Sequence, residues 1–152
     1  ACGKLVFWSK KPFSIEKTFK EILSNSFNSY IAIPNPKTAP YGVAANEVIS
    51  NLGMYNELKS NLIRGINVSQ VVHFVKTKSV DRAFIALSQV KYLNKLEGQY
   101  TKVPKDLYHP IKQDVILLRN SKNKKVARDF FYFLTKNKTK DIIQKSGYDI
   151  NC

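Results

Sequence analysis

The chain has little of what most catalytic and metal sites are built from. Its 152 residues include two histidines, two cysteines, one tryptophan and one methionine, with 11 acidic residues against 25 lysines and arginines. Cys2 and Cys152 stand at the two extremes with no histidine beside them, an arrangement that does not form a zinc site. There is no Ser-His-Asp order, no pair of carboxylates in a cleft-forming context and no metal-ligand spacing, so neither an enzyme nor a cofactor is expected. No window approaches the roughly 20 apolar residues of a membrane span. A basic segment followed by an apolar core, the mark of a secretory signal, is also missing from the N-terminus. Internal repeats and low-complexity segments are absent.

The shortage of acidic residues leaves a formal charge of +14. Such an excess fits a basic nucleic-acid-binding module, whose signature is a steep loss of affinity with salt. That alternative rests on charge alone. The lysines are spread along the chain, at Lys10, Lys37, Lys59, Lys76, Lys95, Lys122 and Lys140 among others, and only Lys122-Asn123-Lys124-Lys125 clusters. The pattern reads as a solvated surface that attracts dianions weakly at physiological salt, and nucleic acid is not expected as a partner.

At 43% hydrophobic and 24% charged, the chain has the profile of a folded domain with one good core. Leu5-Val6-Phe7-Trp8 reads as a buried strand. Residues 14–23 carry Ile15, Phe19, Ile22 and Leu23 at helical spacing, with Ser14 as cap. A strand is expected at 31–33, a helix at 43–52 stopped by Gly53, and a short helical piece at 54–58. Then come a strand at 62–64, a helix at 68–76 with Val68, Val71, Val72 and Val75 inward, and a strand at 83–87. Residues 98–109 lose period and read as loop, 115–118 read as a strongly apolar strand, and helices are expected at 126–134 and 139–145. Phe130, Phe131 and Phe133 have the spacing of a core stripe, Trp8 reads as hinge or core packing, and His73 and His109 read as packed or surface residues. Strands alternating with helices imply an α/β lobe around a mixed, mostly parallel sheet flanked by helices.

Residues 31–48 carry the chemistry. A β-branched strand runs through a proline-punctuated loop into a helix that opens at Tyr41-Gly42. The first N–H groups of a helix have no carbonyl partner, and the positive end of the macrodipole points the same way, so this opening suits an oxyanion.

The loop Asn35-Pro36-Lys37-Thr38-Ala39-Pro40-Tyr41-Gly42-Val43-Ala44-Ala45 resembles the first ligand loop of the periplasmic molybdate-binding proteins, receptors of molybdate ABC importers. Other stretches resemble later landmarks of that family in the same order. Gly3-Lys4-Leu5-Val6-Phe7-Trp8-Ser9 is similar to the strand leading into the second lobe, and Asn51-Leu52-Gly53-Met54-Tyr55 to the end of its first helix. Gly65-Ile66-Asn67-Val68-Ser69-Gln70 resembles the second ligand loop, Ala83-Phe84-Ile85-Ala86-Leu87-Ser88-Gln89-Val90 the strand after it, and Ser146-Gly147-Tyr148-Asp149 the close.

The resemblance implies a lobe of the type II periplasmic-binding-protein fold and a receptor for molybdate or tungstate that delivers to a membrane permease. It also implies a periplasmic protein, lipid-anchored or not in full-length form. Members have two lobes, and the first supplies Ser or Thr-Asn loops to the ligand. This chain begins at the strand entering the second lobe, so it is expected to hold about half of the site. Residues 1–13 would be a hinge strand, 14–110 the second ligand-binding lobe, and 111–152 a return strand with C-terminal helices, the hinge crossing at 5–9 and 114–118. By resemblance the backbone N–H groups of Tyr41 and Val68 bind the oxyanion, with Thr38, Pro40, Gly42, Asn67, Ser69, Ala86 and Ser88 around them. Asn67 stands where a helix cap belongs, Gly42 would let the backbone approach closely, and Ser88 reads as a turn residue ending a strand. Some members have a tyrosine where this chain has Ala86, and that hydroxyl is missing here. Cys2 and Cys152 form a disulfide, or are unpaired or introduced residues at frayed ends, or Cys2 marks a lipoprotein cleavage site, a reading that an internal Gly3 opposes.

Overall fold

A computed structural model describes residues 1–14, 16–93 and 97–152; Ile15 and Lys95, both used above, lie outside them. Strand β2 (Leu5–Ser9) is buried along its whole length. This strand pairs antiparallel with β5 (Arg82–Ala86) on one side and β6 (Gln99–Lys102) on the other. Beyond β5 come β3 (Ile31–Pro34) and β4 (Leu62–Gly65), each parallel to its neighbour, to complete the order β4-β3-β5-β2-β6. Only β2 runs against the other four, so the sheet is mixed and mostly parallel, as the element order predicts.

Side chains of successive strand residues point to opposite faces, and the two faces have separate cores. Leu5 and Phe7 of β2, Ile31 and Ile33 of β3 and Phe84 of β5 pack under α2 (Pro40–Asn51) with its Ala45, Val48 and Ile49. Val6, Trp8, Ala32, Ala83 and Ile85 face the other way, onto Val71, Val72 and Val75 of α4 (Val68–Lys76). Trp8 is a core residue whose Nε1 donates to the Glu97 carbonyl at 3.0 Å, and His73 is exposed.

Several boundaries differ from expectation for local reasons. Helix α1 spans Phe19–Ser24, and it starts there because Thr18 and Glu21 cap each other: the Glu21 N–H donates to Thr18 Oγ1 at 3.3 Å and the Thr18 N–H to Glu21 Oε2 at 2.7 Å. Ser14 accepts from the Glu16 N–H instead. Helix α2 begins three residues before position 43, since Pro40 at its first position is already set for helical φ. Gly53, at φ 72°, ends it as expected. Short helix α3 (Tyr55–Leu58) precedes β4. Strand β5 stops at Ala86, and Leu87 opens α5 (Leu87–Tyr92). β6 lies inside the stretch expected to be loop, because the free edge of β2 supplies a partner that no local pattern announces.

The C-terminal part departs most. β1 (Cys2–Gly3) and β7 (Ile111–Lys112) form a two-stranded antiparallel ribbon. Of the two segments expected to cross as hinge strands, 5–9 is an interior strand of the sheet and 114–118 forms no strand. Ile116, 80% exposed, has apolar neighbours but pairs with no strand among the described residues. Helix α6 (Lys124–Thr135) is followed by α7 (Asn137–Lys145). The aromatic stripe expected in the core leaves Phe130 58% exposed, its ring stacked on Phe133 at 6.3 Å. A stripe with helical spacing marks a face to be covered; here Phe131 is half-buried, while Phe130 and Phe133 stay exposed.

The two chain ends are tied together. Cys2 and Cys152 are disulfide-bonded with Cα atoms 5.9 Å apart, and the Cys2 N–H donates to the Asp149 carbonyl at 2.7 Å. Asp149 is gripped by Lys4 at 2.6 Å and Lys105 at 2.7 Å. Hydrogen bonds from Lys105 and then Lys4 hold its carboxyl below the ordinary carboxylate range. A carboxyl depressed in the folded state stabilises fully when both states are ionised, and loses that contribution as pH falls through its folded pKa. The stability gap between the wild type and Asp149→Asn should therefore be widest near neutrality and close in acid, below about pH 4. Urea midpoints measured across that range check this; a gap constant with pH would mean that the ion pairs contribute nothing.

Candidate anion site

Three parallel strands, β4, β3 and β5, each lead into a helix, so the openings of α4, α2 and α5 share one edge of the sheet. The carboxyl edge of such a sheet, where helices depart to opposite faces, is where α/β proteins place ligands. Here α2 goes to one face and α4 to the other.

The two loops are laced together before their helices start. β3 and β4 stay in register to Pro34 and Gly65, after which the Asn35 N–H donates to the Gly65 carbonyl at 2.7 Å. Thr38 Oγ1 donates to the Ile66 carbonyl at 2.7 Å. Asn35 also shapes its own loop: its carbonyl accepts from Thr38 at 3.0 Å and Ala39 at 2.9 Å, and its Oδ1 from Lys37 at 3.0 Å. In the second loop Asn67 Oδ1 accepts from the Gln70 N–H at 2.9 Å, while the Ile66 N–H donates to Gln70 Oε1 at 2.6 Å. Asn67 is thus the cap that its position suggested.

These bonds leave specific donors over. Pro40 has no N–H, and the N–H groups of Gly42 and Val43 both go to the Ala39 carbonyl. Among the described residues, nothing accepts from the N–H of Tyr41, Val68 or Ser69. Neither α2 nor α4 has an acidic residue in its first turn, so the positive ends of both dipoles are uncompensated. Val68 also breaks ranks with its helix. Its side chain packs against the cluster containing Tyr41, although Val71, Val72 and Val75 pack on the opposite face. The start of α4 therefore leans over the sheet edge toward α2.

Tyr41 is held from both sides. A Cβ on Gly42 would lie 2.2 Å from the Pro34 carbonyl oxygen, so the close approach this glycine permits is that of the helix start to the strand it leaves. The Tyr41 ring is 8% exposed, and burial pushes its phenol well above the usual tyrosine range, with Tyr148 and Tyr108 adding to the effect.

Thr38, Pro40, Tyr41, Gly42, Asn67, Val68 and Ser69 thus come together along the β3–β4 edge, while Ala86 and Ser88 stand one strand away. Ser88 does not end a strand: it is the second residue of α5. The opening of α5 is also occupied. The Leu87 N–H donates to the Lys4 carbonyl at 2.9 Å, and Gly147 packs so closely that a Cβ on it would be 2.9 Å from the Ser88 nitrogen. Sequence reasoning missed Gln89, whose Nε2 reaches Ser69 Oγ at 3.4 Å, and Glu47. One Glu47 carboxylate oxygen accepts from the His109 N–H at 2.9 Å and the other faces His109 Nδ1 at 3.0 Å. That pair borders a cavity of about 370 Å³ beside Lys37, Thr38 and Pro40, which Tyr41 and Val68 do not line. Its carboxylate makes it the poorer place for a dianion.

The sequence profile of bacterial extracellular solute-binding proteins matches residues 1–149. The chain is 39% identical over 151 residues to the molybdate-binding protein ModA of Azotobacter vinelandii, covering 99% of this chain and 60% of that protein. It is also 39% identical over 148 residues to ModA of Rhodobacter capsulatus, covering 97% of this chain and 57% of the relative. The solved structure of the Azotobacter vinelandii periplasmic molybdate-binding protein superposes with a TM-score of 0.87 at 30% identity, over 100% of this chain and 67% of that one. The chain accordingly spans about 60% of the length of the curated relatives it matches.

Proposed function

Because the chain belongs to the family of bacterial extracellular solute-binding proteins, we propose that it serves as part of the receptor that captures molybdate or tungstate for an ABC importer. The observation that carries this reading is the pair of amides without an acceptor among the described residues, Tyr41 N–H and Val68 N–H, at neighbouring helix openings laced by the Asn35–Gly65 hydrogen bond. A tetrahedral dianion needs several donors at a set radius and no counter-charge, since neutral N–H groups at helix starts stabilise it in a dry cleft. Rigid backbone donors also select by size. A lysine would take any anion, whereas fixed amides favour the larger molybdate or tungstate over sulfate. The names of the relatives point to the same ligand.

In this reading the chain holds about half of the ligand shell. The remainder comes from a first lobe like the additional length of the relatives. The exposed apolar face of Ile116, Leu118, Val126 and Phe130 is the surface such a lobe would cover. The ribbon of β1 and β7, rather than the pair first expected, is the hinge between lobes, and closure over the anion presents a surface to the permease outside the cytoplasm. The basic surface is solvated rather than shaped for nucleic acid.

Titration of the ¹⁵N-labelled chain with molybdate, tungstate and sulfate tests the proposal. Molybdate and tungstate should move the amide resonances of Tyr41 and Val68, sulfate much less. Equal weak responses to all three would overturn it. Submicromolar affinity of this chain alone would overturn the half-site reading.

A further inference from the structure

Gly3 lies in the extended strand β1 and is not among the glycines with positive φ, so its backbone conformation does not call for glycine. Its surroundings do. A Cβ at this position would stand 2.1 Å from the hydroxyl oxygen of Tyr41, 2.8 Å from its Cζ and 3.4 Å from Ile111 Cγ2. Distances under 3.0 Å do not occur at real Cβ atoms, so the ring of Tyr41 occupies the space a side chain at position 3 would take. Tyr41 belongs to the same buried cluster as Ile111, the β7 residue that pairs with Gly3. The ring cannot swing away freely, because it is buried and its own backbone is pressed against Pro34 through Gly42.

We propose that Gly3 is a positioning residue for oxyanion binding: by leaving its side-chain space to the Tyr41 ring, it sets the direction of the Tyr41 N–H and links that donor to the β1–β7 ribbon. The inference rests on the reading of Tyr41 as an oxyanion donor and adds a residue that touches no ligand. It gives a mechanical consequence as well. One residue presents its amide to the anion and its ring to the ribbon, so a change at either end reaches the other through a single side chain.

A double-mutant cycle tests it. Gly3→Ala should weaken molybdate binding about tenfold in the wild-type background, and by roughly threefold or less in a Tyr41→Phe background, where the atom nearest the new Cβ is gone. Thermal midpoints recorded alongside separate this from a general loss of stability, which would lower both backgrounds alike. Equal losses in the two backgrounds, or unchanged binding by Gly3→Ala, would overturn the proposal. If the wild type gives no response to molybdate, the receptor reading fails, and the coupling is then read from the amide spectrum. Displacement of the Tyr41 and Gly42 resonances by Gly3→Ala, reduced in the Tyr41→Phe background, supports the link; resonances undisturbed, or displaced equally in both backgrounds, overturn it.

Discussion

Gly42→Ala is expected to destabilise the chain by about 1–3 kcal/mol, although alanine is the better helix former by about 1 kcal/mol. The reversal of sign is the point of the experiment. Gly42 sits inside the first turn of α2, is buried, and has no positive φ that would favour glycine. Propensity alone would therefore favour alanine. What opposes it is the approach of the helix to the strand it left: the new Cβ would lie 2.2 Å from the Pro34 carbonyl oxygen, 2.7 Å from its carbonyl carbon and 2.8 Å from that of Asn35. All three atoms are backbone, so no side chain can rotate out of the way. Relief requires the helix start to lift off the strand, which carries the Tyr41 N–H with it. Urea unfolding should show the lower midpoint, and the Tyr41 amide resonance should move. An unchanged or raised midpoint would show that the loop yields easily, and that the donor is not rigidly placed.

Removal of the disulfide should have an effect of similar or larger size. Cys2 and Cys152 are separated by 150 residues in sequence, so the bond closes nearly the whole chain into a loop. In the chain-entropy account a loop of that length is worth about 5 kcal/mol, with measured values more often 2–4. The native ends are also held by the Cys2–Asp149 backbone pair and by Lys4 and Lys105 on Asp149, which order them without the bond and limit native-state relaxation. The double substitution Cys2→Ser and Cys152→Ser, or reduction of the wild type, should lower Tm by roughly 10 °C. A drop of only about a degree would mean that the last residues dock as a tail, independent of the cooperative unit. The bond suits the oxidising surroundings of an extracellular family.

Much of the lobe was legible because its signals are local. Val68, Val71, Val72 and Val75 have helical spacing behind an asparagine cap, and α4 spans the expected 68–76. Gly53 ends α2 at positive φ as expected, and Gly147 follows α7 in the same way. The misreadings share one cause. Residues 115–118 and the phenylalanine stripe of α6 are apolar, and apolarity predicts that a face will be covered without saying by what. β6 failed in the opposite direction: Gln99-Tyr100-Thr101-Lys102 has no apolar alternation of its own, and it is a strand only because the edge of β2 stands beside it. The disulfide follows from no local signal either, since two cysteines at opposite ends of a sequence reveal nothing of their distance.

For the site, the division is similar. Proline and glycine placement in 34–42, with Asn67 before a valine-rich helix, determined where two helices begin and which N–H groups start without a carbonyl; these are consequences of covalent geometry acting over four or five residues. Whether the two openings meet was beyond any such window. The parallel pairing of β3 with β4 decided it, because in-register neighbours ending at Pro34 and Gly65 bring their following loops within hydrogen-bonding reach. The need for glycine at position 3 likewise arises only when a tyrosine 38 positions later folds its ring over it, a packing constraint between distant residues that the chain enforces solely in its folded form.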